Sequence, residues 1–271
     1  MTYGPPASSE LLRRRPLRLL AAPVRERRFT YGEYARFLDG LDLEHVRPLR
    51  ELRHAPAGVG LRHDVDDRLD SALAFARLEA ARGLRATYFL LHTAPYWPDG
   101  RFRELQELGH EVGLHNDAVT VHARTGADPV AELARALETL RAQGLDVVGV
   151  AAHGSREARE RRFLNHLLFS DLPERAPRFP NNDVTGELLP PPGMPRTTLA
   201  ALGLLYDADF LDHDAYFADS YVDVCGRRWH PGDYRPGTKT VVLTHPCLWD
   251  GSRAAKAART VGRALRGSRR R

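Results

Sequence analysis

The sequence predicts an α/β fold, a distorted or incomplete (β/α) barrel, on three observations. Short apolar, strand-like runs alternate with helical patterns from residue 58 to residue 152. The runs are separated by helix-length segments, the spacing that parallel strands joined by right-handed crossovers require. Four of these runs, with a fifth at Val241 to Thr244, also end on a histidine or an acid. Side chains at the carboxyl ends of parallel strands converge on one face, so these five ends predict a polar site there.

The first run, Gly58 to Leu61, leads into Arg62-His63-Asp64-Val65-Asp66-Asp67. A helix is expected from Arg68 to Arg82, with Leu69, Ala72, Leu73, Ala76 and Ala80 on one face, Asp67 as its N-cap and Gly83 as its stop. Ala86 to Leu91 then ends at His92. A helical segment near Phe102 to Leu108 precedes the run Glu111 to Leu114, which ends at His115. Pro129 opens a helix through Arg141, with Leu133, Ala136, Leu137 and Leu140 spaced for burial and Gly144 as its cap. Val147 to Ala152 ends at His153, and Val241 to Thr244 ends at His245. Between Glu157 and Leu211 the pattern dissolves into a proline-rich stretch whose length suits a lid or specificity loop.

A chain of 271 residues is long enough for one such barrel. The division expected is an N-terminal extension over 1–40, disordered in part and ending in a short helix, a single catalytic barrel over 41–252, and a basic tail over 253–271. With 42% hydrophobic and 28% charged residues the composition is that of a globular protein. Two cysteines, Cys225 and Cys247, do not make a disulfide framework. No stretch approaches the roughly 20 apolar residues that span a bilayer. Leu17 to Val24 is broken by Arg18 and Pro23, so it fails as the core of a signal peptide, and a cytoplasmic location is expected.

The net charge of +5 is almost all arginine, since Lys239 and Lys256 are the only lysines. Basic residues gather after Asp250, in a tail that reads as solvated or as a peripheral contact with an anionic membrane. Stacking aromatics are missing from that tail, which argues against nucleic acid as a partner.

The chemistry concentrates on Asp64 and Asp66. Two residues apart on a strand, their side chains share one side. Close carboxylates repel unless a cation or a proton intervenes. A divalent metal resolves the conflict, one carboxylate binding it while the other accepts a proton. The bland reading is a loop of solvated acids. His115, at a neighbouring strand end, favours the metal reading, because imidazole with carboxylate is an ordinary zinc donor set. His110 lies at the opposite end of its strand and reads as structural.

Arg62-His63-Asp64-Val65-Asp66, Ala86-Thr87-Tyr88-Phe89, Gly109-His110-Glu111-Val112-Gly113-Leu114-His115 and Leu243-Thr244-His245-Pro246 resemble the successive motifs of the polysaccharide deacetylase family, in its branch with an Asp-x-Asp first motif. The resemblance covers roughly 58–250. It implies a distorted (β/α) barrel that uses a divalent metal ion, zinc by preference, to hydrolyse N- or O-acetyl groups on carbohydrate. By position it makes Asp64 the general base, Asp66 and His115 metal ligands and His245 the general acid.

The chain departs from the family pattern where a second metal histidine is usual, four residues after the first, because that position is Val119. His153, at a strand end where the family usually provides an arginine, is the leading third ligand, followed by Asp117 and then His122. Tyr216 to Ser220 with Arg227-Arg228-Trp229 resembles a later motif of the branch. Asp219, Arg227 and Trp249 are expected to bind the sugar. The substrate expected is an amino sugar or glycan precursor. A non-catalytic carbohydrate-binding relative that has lost its metal, and an amidohydrolase acting on a non-sugar amide, are the alternatives.

Overall fold

The computed structural model describes residues 29–97, 101–160, 163–174, 193–219 and 237–249. The first helix, α1 (Tyr31–Leu38), starts in a capping box: Thr30 Oγ1 accepts from the Glu33 N–H, and Glu33 accepts from the Thr30 N–H. It buries Tyr34, Phe37 and Leu38 against the body of the protein. A single helical turn, α2 (Leu49–Leu52), leads into β1 (Gly58–Val65). Then follow α3 (Leu69–Ala80), β2 (Thr87–Leu91), α4 (Phe102–Glu107) and β3 (Glu111–Asn116). The chain continues through α5 (Ala118–Thr125), α6 (Pro129–Ala142), β4 (Gly149–Ala152) and α7 (Arg156–Glu160). Three strands complete it: β5 (Tyr206–Asp207), β6 (Ala215–Ala218) and β7 (Lys239–Thr244).

The strands form one sheet in the order β5-β4-β3-β2-β1-β7-β6, and every neighbouring pair is parallel. The sheet is curled. In a flat sheet the four strand spacings from β1 to β5 would span about 19 Å. Yet Arg62 on β1 reaches Asp209, just beyond β5, with an Nη1–Oδ1 distance of 2.6 Å. Among the described residues β5 and β6 share no ladder, so the structure is an incomplete (β/α) barrel.

Alternation along β1 separates two environments. Val59, Leu61 and Val65 join the large core beneath the helices, whereas Gly60, Arg62 and Asp64 face the barrel interior. That interior is filled from below by α2: a Cβ on Gly60 would lie 2.5 Å from Leu49 Cδ2. Gly149 likewise leaves room for Tyr206, whose ring would lie 2.5 Å from an added Cβ. Glu111 closes the floor, accepting from Arg50, Thr87 Oγ1 and Tyr206 Oη.

Several expectations need correction. Asp67 does not cap α3; it is exposed, and Arg68 is the N-cap, with no side-chain cap bond. The helix α5 and the short strands β5 and β6 carry no periodic signal in the sequence. The basic tail lies outside the described residues. Among the described residues, no helix is long and apolar enough to cross a membrane.

Candidate functional site

The strand ends do converge. Asp66 follows β1, His115 lies on β3 and His153 follows β4, and their donor atoms all lie within 4.8 Å of one another. His115 Nδ1 donates to the Ala151 carbonyl oxygen at 3.0 Å. That bond fixes the ring and leaves Nε2 facing the acids, 3.4 Å from Asp66 Oδ1 and 3.7 Å from Asp64 Oδ2. The His115 and His153 rings stand 5.0 Å apart.

These residues fit a divalent cation. Asp66 Oδ1 is buried and makes no hydrogen bond, and a buried orphan oxygen calls for a cation or a proton. Burial alone would raise the Asp66 carboxyl, but His115, His245 and His153 outweigh it and hold the group below its usual range. It therefore stays ionised. Two imidazoles and a carboxylate are the donor set of many zinc sites.

Asp64 is held differently. Its Oδ1 accepts from Arg62 Nε and its Oδ2 from Arg62 Nη2, both at 2.9 Å. Against the penalty of burial, the Arg62 charge, helped by His115, keeps the Asp64 carboxyl well below the ordinary carboxylate range. A bidentate guanidinium leaves Asp64 ionised, fixed, and turned toward Arg62 more than toward the cluster. Arg62 and Asp209 were absent from the predicted site. The same two-residue spacing that links Asp64 with Asp66 also places Arg62 on that side; nothing in the sequence pointed to Asp209.

His245 stands beside this group at the end of β7. Its Nδ1 donates to Asp219 Oδ1 at 2.7 Å, and its backbone N–H donates to Asp219 Oδ2 at 2.8 Å. Burial opposes the charge on the ring, but the bond to Asp219, with the charges of Asp219, Asp64 and Asp66, raises its pKa to about 9. A raised histidine stabilises the fold fully below its unfolded pKa near 6.5 and loses that contribution as pH rises through about 9. In metal-free protein, the urea-unfolding free energy of wild type minus that of His245→Gln should therefore be largest below pH 6.5 and fade by pH 10. A difference that stays flat over that range contradicts the assignment.

Two expected sugar contacts are corrected by their surroundings. Asp219 is wholly buried, and both of its oxygens are engaged by His245 and by Trp249 Nε1 at 2.8 Å. It orients the histidine and is closed to a ligand. Trp249 is 2% exposed and packs with Phe29, Tyr34 and Phe75, with a ring separation of 4.8 Å from Phe29. It belongs to the core. Arg227 lies outside the described residues.

The remaining candidates also have places. Val119 is fully buried in the core. His122 sits on α5 with Nδ1 2.8 Å from the Ala127 carbonyl oxygen, apart from the cluster. His92 Nε2 accepts from the Asp117 N–H, and His110 is buried between the Ala86 N–H and the Ala76 carbonyl. Asp117 stands behind His153, its Oδ2 3.4 Å from His153 Nδ1.

No protein-family model and no curated protein matches the chain. Among solved structures, a Streptococcus mutans CE4 esterase is similar over 75% of this chain and 81% of that one, at 14% sequence identity and a TM-score of 0.39. So distant a likeness assigns neither an activity nor a residue role.

Proposed function

We propose that this chain is a metal-dependent hydrolase that removes an acetyl group from an amino sugar or glycan precursor. The observation that carries the reading is the Asp66–His115–His153 cluster set beside two separately held acid–base groups, Asp64 and His245. A divalent ion bound by those three residues, zinc by preference, would supply Lewis acidity, polarising an acyl carbonyl and lowering the pKa of water.

The rest of the chemistry belongs to the chain. Hydrolysis of an acetamide consumes one water and yields acetate and an amine. Asp64, ionised throughout the physiological range, accepts the proton that water loses. His245, protonated through its contact with Asp219, gives a proton to the departing nitrogen. The bidentate clamp keeps Asp64 out of the cluster, so the two carboxylates divide their work: Asp66 binds and Asp64 takes protons.

The test is acetate release by the zinc-loaded full chain across acetylated amino sugars, sugar nucleotides and lipid-linked glycans. Turnover is expected with at least one class, lost on chelation and restored by metal. Sugar binding without acetate release would favour a non-catalytic carbohydrate-binding protein. Release from non-sugar amides alone would replace the proposed substrate.

A further inference from the structure

We infer that Asp117 is a positioning residue of the centre: it turns the His153 ring so that Nε2 faces the cation, while Asn165 holds the backbone beneath that ring. The inference rests on the metal reading above and goes beyond it, to what orients the His153 ring.

His153 Nδ1 is buried and makes no hydrogen bond, and Asp117 Oδ2 stands 3.4 Å from it. At that separation the two form a near contact, which a small rotation of the ring would close. An imidazole whose Nδ1–H points at a carboxylate presents the lone pair of Nε2, and the carboxylate makes that nitrogen a stronger donor to metal. His115 is oriented by the same device, with the Ala151 carbonyl as its acceptor. Both rings would then offer Nε2.

The carboxylate is itself held in place. Thr93 Oγ1 donates to its Oδ2 at 3.1 Å and Thr120 Oγ1 to its Oδ1 at 2.5 Å, from two different segments. Asp117 is 3% exposed, so these two bonds fix its carboxylate behind the ring.

Asn165 completes the support. Its Nδ2 donates to the His153 carbonyl at 2.8 Å, and its Oδ1 accepts from the Val119 N–H at 2.9 Å. One side chain thus straps the first turn of α5 to the end of β4. Position 119, four residues after His115, serves through its peptide N–H while its side chain fills the core.

The experiment is zinc affinity, by competition with a chromophoric chelator, for metal-free full-length wild type, Asp117→Asn, His153→Ala and the double variant. Thermal melting of each metal-free protein checks the fold. The amide keeps the shape of the carboxylate and removes its charge, so Asp117→Asn should bind zinc about 10–100-fold more weakly than wild type. In the His153→Ala background the same change should alter affinity by less than about 2-fold, because its effect passes through the missing ring. Asp117→Ser, smaller and still able to bond Thr120, gives the same reading if the amide variant does not fold.

Undiminished affinity in Asp117→Asn overturns the inference and leaves the metal reading standing. Equal losses with and without His153 also overturn it, since they mark Asp117 as a direct ligand or as part of the fold alone. Wild type that binds no zinc overturns both.

Discussion

Arg62→Met should destabilise the protein by about 3–5 kcal/mol, the usual cost of removing one partner from a buried ion pair. Methionine fills much of the same volume, so packing loss is a minor part. What remains is electrostatic. Arg62 is 1% exposed and serves two carboxylates, Asp64 through Nε and Nη2 and Asp209 through Nη1. Asp207 lies close by, and burial with the Asp209 charge pushes its carboxyl well above the usual range. Without the guanidinium two buried anions would lack their cation, and they would have to take up protons or admit water. Urea unfolding at neutral pH measures the loss. Adding Asp209→Asn to Arg62→Met should restore part of it, and a double variant less stable than the single one would contradict the pairing.

Asp64→Asn should lower acetate release by about 10²–10⁴-fold, the range for losing a general base. The amide occupies the carboxylate's place and cannot accept the proton from water. It also turns an N–H toward the Arg62 fork, so some stability goes with it, and rates must be compared per folded molecule. Metal binding should persist, because Asp64 lies outside the three-residue cluster. Retained turnover in Asp64→Asn would move the base elsewhere.

Much of this was legible in the sequence, and the reason is local. The helices α3 and α6 declare themselves by the period of their apolar residues, and the strands β1, β2, β3 and β7 by short continuous apolar runs. A parallel sheet then fixes where their carboxyl ends meet, which brings Asp64, Asp66, His115 and His153 to one face. The choice of Asp66 over Asp64 as the metal ligand comes only from the family resemblance. The structure draws the donor atoms of Asp66, His115 and His153 into one cluster.

What was not legible depends on curvature and on neighbours distant in sequence. β5 is two residues long, too short for any period to show. Asp209 matters only because the sheet curls far enough to bring it to Arg62, 147 residues earlier. Asp219 and Trp249 have side chains that suit sugar recognition, and composition cannot tell a carboxylate that binds substrate from one that grips a histidine. Burial tells them apart: both sit beneath His245, bonded to each other.

In the proposed centre Asp66, not Asp64, holds a metal ion together with His115 and His153. This assignment is tested most directly by metal content. The full chain, purified without chelator and dialysed against zinc, should carry one ion per molecule. Asp64→Asn should keep that ion, and Asp66→Asn should lose most of it at the same free zinc concentration. Equal zinc in both variants, or none in the wild type, would contradict the account.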